Sequence, residues 1–315
     1  MFGLINLNKP HGLTSHQCVA KIRRLLNLKK VGHGGTLDPL ATGVLPIAVG
    51  KATRLLPFLP TTKAYRARIR LGVTTTTDDL EGEVIENQPT NHLNSETITH
   101  ALKQFQGEIV QTPPIYSAIK KNGQKMYELA RKGINTEVPS RIVTIDHLEV
   151  KEISFGDFLE IDVAITCGSG TYIRAIARDL GQTLGVGGTL ANLVRTQSCG
   201  MSLNRSLNFT DLATQISRQN PVLIEPATLL THLPPVFLPS SDADKWLQGQ
   251  IMPLNDEIEA NMLITTNNEY YRTYRLDNQH FLGISILVQG ESKILVKPKI
   301  VCINVVKSDN KTVEQ

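Results

Sequence analysis

"VGHGGTLDPLATGVLPIAVGKATR", residues 31–54, holds one carboxylate, Asp38, between a glycine-rich run and a proline, with His33 five residues upstream. Gly34 and Gly35 permit unusual backbone angles and close approach of a ligand. Pro39 restricts Asp38 to extended conformations, so the acid is held in a limited set of directions. Downstream, "GVLPIAVG" is a short continuous apolar run bounded by glycines, which predicts a buried strand. A carboxylate so placed can be an Asx-type turn, a metal ligand, half of a salt bridge or a nucleophile, and this stretch leaves all four open.

Outward from it, "FGLINLNKP" predicts a strand ended by Lys9-Pro10, and Ser15 can cap a helix to about Leu28 with Val19, Ile22, Leu25 and Leu26 inward. "KAYRARIRLG" alternates: Tyr65, Ala67, Ile69 and Leu71 share one face, while Arg66, Arg68 and Arg70 make the other cationic. Ser95 opens a helix predicted to end near Gly107. "KMYELARKG" predicts a short helix, and "RIVTIDHLEVKEI" and "FLEIDVAITC" predict strands joined at a Gly-Asp turn. "GSGTYIRAIARDLGQTLG" predicts a helix capped by Thr171, with Ile173, Ile176, Ala177 and Leu180 inward. "TLANLVRTQSCG" is readable as helix or as loop into strand. The Pro-rich "THLPPVFLP" at 231–239 is the expected linker, followed by a short helix near Asp242–Gln248 and by strands "FLGISILV" and "KILVKPKIVCI".

The chain has 315 residues, 41% hydrophobic and 20% charged, which suits one large domain plus a small one. No apolar run approaches the roughly 20 residues of a membrane span, and the N-terminus lacks a secretory pattern, so the expectation is cytoplasmic. Cys18, Cys167, Cys199 and Cys302 stand singly and the histidines do not pair at metal spacing, so no metal site is expected. The net charge of +4 is modest, but its distribution is uneven. No acid lies from Lys9 to Leu37, where Lys9, Lys21, Arg23, Arg24, Lys29 and Lys30 fall. Lys120, Lys121, Lys125, Arg131, Lys132 and Arg141 crowd a second segment. Two such segments suit a polyanion, although a merely solvated basic face has the same composition.

Three tempting patterns fail. "GVLPIAVGKAT" lacks both the first glycine and the hydroxyl of a phosphate-binding loop. "SAIK" has no properly spaced companions of the serine-enzyme type, and "GVGGTLANL" has no acidic partner of a dinucleotide fold. "SGTYIRAIARDLG" is more informative. Arg174 falls in the first turn of its helix, an unfavourable place for a cation, so a carboxylate partner is expected. Asp38 is a candidate; Asp179 or solvent is the alternative for this arginine-rich face, which also carries Arg178.

"GHGGTLDPLATGVLPIAVGKATR", "KAYRARIRLG", "YSAIKKNGQKMYELARKG" and "SGTYIRAIARDLG" together resemble, in order, the TruB family of tRNA pseudouridine-55 synthases, over about Gly3 to Gly200. The C-terminal "LQGQ" and "LVKPKIV" are similar to a PUA domain. The resemblance implies an α+β fold: a mixed or antiparallel catalytic sheet with packed helices at 1–232, an RNA-gripping insertion at about 112–145, a small PUA-like β-barrel at 235–306 and a polar tail at 307–315. It implies isomerisation of uridine to pseudouridine in the T loop of tRNA after base flipping. Asp38 matches the family's catalytic aspartate, Tyr65 the tyrosine that stacks on the base and has been proposed to take the C5 proton, and Arg174 the aspartate's partner. His33 matches the residue that helps displace the base, and Tyr172, Leu193 and Arg195 match further residues of the site. Lys9 and Pro10 match a pair near it, and Lys120, Lys121, Lys125, Arg131 and Lys132 fall in the insertion. Thr76 stands where the family often has an acid.

The implied exchange of C1′–N1 for C1′–C5 brings in no electrons or groups, so no cofactor is expected. The expected partner is the tRNA T arm, with no membrane, no required protein partner and a monomeric state. Two alternatives are an RNA-binding protein without activity and a guide-directed synthase acting on another RNA.

Overall fold

The computed structural model describes residues 1–117, 120–121, 124–126, 138–219, 222–254, 269–290 and 293–302. Its centre is a mixed sheet in the order β1 (Gly3–Lys9), β3 (Thr42–Val49), β12 (Gly188–Ser198), β4 (Lys63–Leu71), β11 (Leu159–Cys167), β10 (Arg141–Phe155) and β7 (Gly107–Gln111). Short strands β2 (Val31–His33) and β13 (Met201–Ser202) pair with β3 and β12. Every junction along the order is antiparallel except β3–β12, a parallel contact at Val194–Thr42 and Arg195–Gly43. Hairpins β5–β6 (Val73–Thr75, Val84–Asn87) and β8–β9 (Lys120–Lys121, Gln124–Lys125) stand apart from it. The expected α+β architecture is observed.

Strand β3 explains its own sequence. Leu45, Ile47 and Val49 pack in a core with Ile22 of helix α1 (Ser15–Leu26) and Ile176 of helix α3 (Ile173–Thr183). Val44 and Ala48 pack on the opposite face with Ala227, Leu230, Phe281 and Ile284. A strand covered on both faces needs a continuous apolar run, as "GVLPIAV" is. Strand β4 is covered on one face only, so it alternates: Tyr65, Ala67, Ile69 and Leu71 are buried.

The cationic face of β4 is not free. Arg68 donates Nε and Nη2 to Asp162 at 2.7 and 2.9 Å, and Arg70 donates to Glu160, both acids lying on the neighbouring β11. Of the three arginines on this face, two are therefore neutralised by cross-strand pairs, a partner that the alternation within one strand could not reveal.

Several boundaries differ from expectation. The cap of α1 is Thr14, in a reciprocal capping box with Gln17, while Ser15 Oγ bonds the backbone N–H and C=O of Leu37; Leu25 is exposed. Helix α2 runs Ser95–Lys103 with Asn94 as its cap, and Gly107 begins β7 rather than ending the helix. Thr171 does not cap α3; its hydroxyl donates to Gly168 O, and Tyr172 occupies the cap position. Residues 188–198 are strand throughout, with bulges between Leu190 and Asn192 and between Arg195 and Gln197 that break the period. The helix expected at "KMYELARKG" lies almost wholly outside the described residues.

The expected linker is partly strand. Pro235–Leu238 forms β14, edge of a second sheet ordered β14, β16 (Tyr271–Arg275), β17 (Phe281–Gln289), β18 (Ile294–Val301) and β15 (Met252–Pro253). Helix α4 (Phe209–Ser217) precedes this unit. Helix α5 (Ser240–Leu247) packs on the unit, burying Trp246 completely while its Nε1 donates to Ser285 Oγ at 3.0 Å. Among the described residues no helix is long and apolar enough to cross a membrane.

Candidate active site

Asp38 sits in the loop between β2 and β3, half-exposed, at the edge of a cleft of about 260 Å³. Gly35, Lys63, Tyr65, Ser117, Tyr172, Leu193 and Arg195 are among the residues that line it. Four segments far apart in sequence meet here, because β4 and β12 are neighbours, the Asp38 loop leads into β3 beside β12, and α3 brings its N-terminus to the rim.

The loop is held from beneath. Arg195, fully buried, donates Nε to Val44 O, Nη1 to Thr36 O and Nη2 to Gly35 O. Lys9, also fully buried, donates Nζ to Leu13 O at 2.7 Å, Pro10 O at 3.0 Å and Pro39 O at 3.3 Å. Burial lowers the Lys9 pKa. Lys9 therefore carries no charge to the surface, contrary to its place among expected RNA contacts, and Pro10 contributes the exposed part of that pair. Buried carbonyls need donors, and two long cations satisfy six of them around the Asp38 loop.

Arg174 fixes the carboxylate itself. Its Nη2 lies 2.8 Å from Asp38 Oδ2 and also donates to Tyr116 O at 3.0 Å. Its Nη1 donates to Thr77 O at 3.0 Å and lies 3.4 Å from Asp79 Oδ2. The expected Asp38–Arg174 pair is present, but the guanidinium is shared with a second, buried acid that the sequence reading left without a role. Asp79 accepts from Thr77 Oγ1 at 2.5 Å and from Glu81 N at 3.1 Å, so its charge is well solvated by the fold. Thr76, where the family often has an acid, accepts from Glu83 N and closes the same turn. Arg178, one turn on, pairs with Asp78 and Asp179.

Tyr65 projects from the covered face of β4, opposite Arg195 of β12 in register. Burial raises its hydroxyl pKa, partly opposed by the Arg195 charge. Tyr172 is fixed through its backbone: its N–H donates to Gln111 Oε1 at 2.8 Å, and Gln111 Nε2 donates back to Tyr172 O at 3.1 Å. Gln111 is fully buried. The Arg141 guanidinium lies 5.0 Å from the centre of the Tyr172 ring.

His33 is not among the cleft residues. Its ring meets His16 edge-on at 5.3 Å, and burial with that neighbour lowers its pKa. His16 instead lines an adjoining groove, which continues past Asp38 to Asp79, Glu81 and Tyr116. Lys120, Lys121 and Lys125 lie in the β8–β9 hairpin, whose side chains fall outside the description, as do Arg131 and Lys132. Sequence reasoning missed Lys63, Gln111, Ser117 and Asp79. Lys63 was legible in principle, two residues before Tyr65 on the same strand face; Gln111 had no local signal.

The mixed sheet thus brings the anchored Asp38 and the buried Tyr65 to one cleft. The chain aligns over 96% of its length, with a TM-score of 0.72 and 26% identity, with a chain of a Cbf5-Nop10-Gar1 complex, 85% of which is covered. A chain of an H/ACA ribonucleoprotein bound to a substrate RNA containing 2′-deoxyuridine aligns with a TM-score of 0.70 and 25% identity, over 96% of this chain and 85% of that one. Residues 23–173 match the model of the TruB family pseudouridylate synthase N-terminal domain. A tRNA pseudouridine synthase B of Gloeothece citriformis is 58% identical over 82% of this chain and 84% of its own. That of Trichormus variabilis is 53% identical over 92% of this chain and 96% of its own. The chain belongs to the TruB family of pseudouridylate synthases, which are isomerases.

Proposed function

We propose that this protein isomerises uridine to pseudouridine at position 55 in the T loop of tRNA, with Asp38 as the catalytic carboxylate. The observation that carries this is Asp38, held 2.8 Å from Arg174 at the edge of a cleft that Tyr65 lines. Breaking C1′–N1 builds positive character on the sugar, which an ionised carboxylate stabilises or attacks, as in glycosidases. Tyr65 supplies a flat apolar surface for the detached uracil, and base–aromatic stacking contributes about 1–3 kcal/mol. Its raised pKa keeps the phenol protonated at neutral pH, which favours the stacking role over that of an anionic base for the C5 proton.

Reaching C1′ requires a flipped nucleotide, at a cost of a few kcal/mol that is smaller in an RNA loop. Lys21, Arg24, Lys29 and Lys30 are exposed and offer phosphate contacts, and His33 acts at the displaced base from outside the cleft. Leu193 and Arg195 frame the base, and the insertion at about 112–145, much of which lies outside the described residues, serves to grip the RNA arm. Residues 1–232 form the catalytic domain, and 235–306 a PUA-like RNA-binding domain. The protein works as a monomer in the cytoplasm without a protein partner.

The test is tritium release from a T-arm transcript carrying [5-³H]uridine, with Asp38→Asn beside the wild type and no other protein added. Release by the wild type and none by the variant, with RNA binding retained by both, is expected. Equal release would remove Asp38 from the chemistry. Absence of release from both would direct the search to a guide-directed substrate.

A further inference from the structure

Four cations line the cleft, and only Arg174 has a carboxylate within 4.0 Å among the described residues. Arg195 spends its donors on three carbonyls, and Arg141 donates to Gly170 O at the rim. The Lys63 ammonium makes no hydrogen bond and no ion pair among the described residues. It shares the covered face of β4 with Tyr65, two residues away. A methyl placed on Gly35 would lie 3.7 Å from Lys63 Cε and 3.8 Å from Arg195 Nη1, so the two cations converge across that glycine. Two like charges brought together in a half-buried cleft without a counterion are unfavourable, and such a pair is an anion site.

The cleft thus holds the Asp38 carboxylate, paired with Arg174, together with Lys63 and Arg195, which have no carboxylate within 4.0 Å among the described residues. We propose that Lys63, assisted by Arg195, stabilises the negative charge that the uracil ring carries once its C1′–N1 bond breaks. The inference rests on the isomerase reading above. In that step the bonding pair stays on the ring, spread from N1 onto O2 and O4, while Asp38 meets the deficit at C1′. When the ring has turned, an electron pair at C5 forms the C5–C1′ bond and the C1′–Asp38 interaction is released; the C5 proton then passes to water and N1 takes up a proton from water, which restores the ring with no net change in protons. The ammonium gives up no proton. Charge that develops only as the bond breaks is where a fixed cation accelerates a reaction, since uniform binding of the ground state does not. The other anion within reach of such a site is the phosphate of the target nucleotide; adjacency to Tyr65, the surface for the base, favours the ring.

The groups facing Lys63 are Arg195 of β12, Cys167 of β11, Cys199 after β12 and the Gly35 backbone. Burial, and then Arg195, lowers its pKa, so its charge is lost earlier on the alkaline side than that of an ordinary lysine. The experiment is single-turnover pseudouridine formation on T-arm RNA with enzyme in excess, together with the RNA Kd, for wild type, Lys63→Met and Lys63→Arg. Lys63→Met is expected to react ten- to hundredfold more slowly at saturating enzyme with Kd changed less than about twofold. Lys63→Arg is expected to recover most of the rate and to move the alkaline limb of the pH profile upward. A wild-type rate in Lys63→Met would overturn the inference. So would a loss confined to Kd, which would assign Lys63 to a phosphate. Absence of product from the wild type itself would overturn the isomerase reading, and this inference with it.

Discussion

Removing the Arg174 guanidinium should separate stability from chemistry. Arg174 is 7% exposed and touches four groups: Asp38, Asp79, Thr77 O and Tyr116 O. Of the two acids, Asp38 is 42% exposed and Asp79 only 3%. In Arg174→Met, water can reach Asp38 but not Asp79, so most of the stability loss comes from the buried acid. Breaking a buried pair by removing one partner costs about 3–5 kcal/mol, more than the pair itself contributes. The activity loss has a different origin. Asp38 loses the fork that aims it, and misplacement of a reacting group by about 1 Å costs on the order of a hundredfold. Adding Asp79→Asn to Arg174→Met removes the stranded charge and should restore roughly 2 kcal/mol of stability in urea unfolding. It should restore none of the tritium release, because Asp38 is still unheld. If the second substitution recovers no stability, the buried charge is not what Arg174 neutralises. If it recovers activity, the Asp38–Arg174 contact is not what aims the acid.

Gln111→Leu removes both bonds to the Tyr172 backbone and should cost about 1–3 kcal/mol while slowing the reaction more than it weakens RNA binding, as measured by urea unfolding and single-turnover kinetics. Gly43→Ala should be poorly folded, since φ is +98° there and a Cβ would lie 2.3 Å from Arg195 O across the parallel β3–β12 contact; wild-type solubility and melting would contradict the register described. Arg68 lowers the Asp162 pKa in the folded state, so this pair stabilises above the ordinary carboxylate value and its contribution fades as pH falls through the lower, folded value. Arg68→Met should therefore flatten the acid limb of the stability profile below about pH 4, with a small effect at neutral pH because the arginine is half-exposed, and leave RNA affinity nearly unchanged. Lys9→Met should strand the carbonyls beneath the Asp38 loop and lower the rate without a matching loss of RNA affinity; a change in affinity alone would return Lys9 to the RNA surface.

The sequence alone determined what is local or periodic. The apolar run of β3, the alternation of β4 and the amphipathic stripe of α3 each follow from which faces are covered, and those periods survive in one dimension. The expectation that Arg174 needed a carboxylate was legible for the same reason, since a cation in a helix's first turn is a local anomaly. What tertiary structure decided is which charges remain available. Arg68 and Arg70 are neutralised by acids 94 and 90 residues away, Lys9 is turned inward to the carbonyls of the Asp38 loop, and Arg174 is shared with Asp79. Strand β12 was readable as helix or as loop into strand because its bulges disrupt the period, and Gln111 escaped recognition because its partners lie 61 residues away. Lys63 stands in plain view beside Tyr65, but only the packing of β12 and of the Gly35 loop against β4 shows that its charge is left unpaired among the described residues. Partners across a sheet are set by strand order and register, and no pattern within a single strand carries that information.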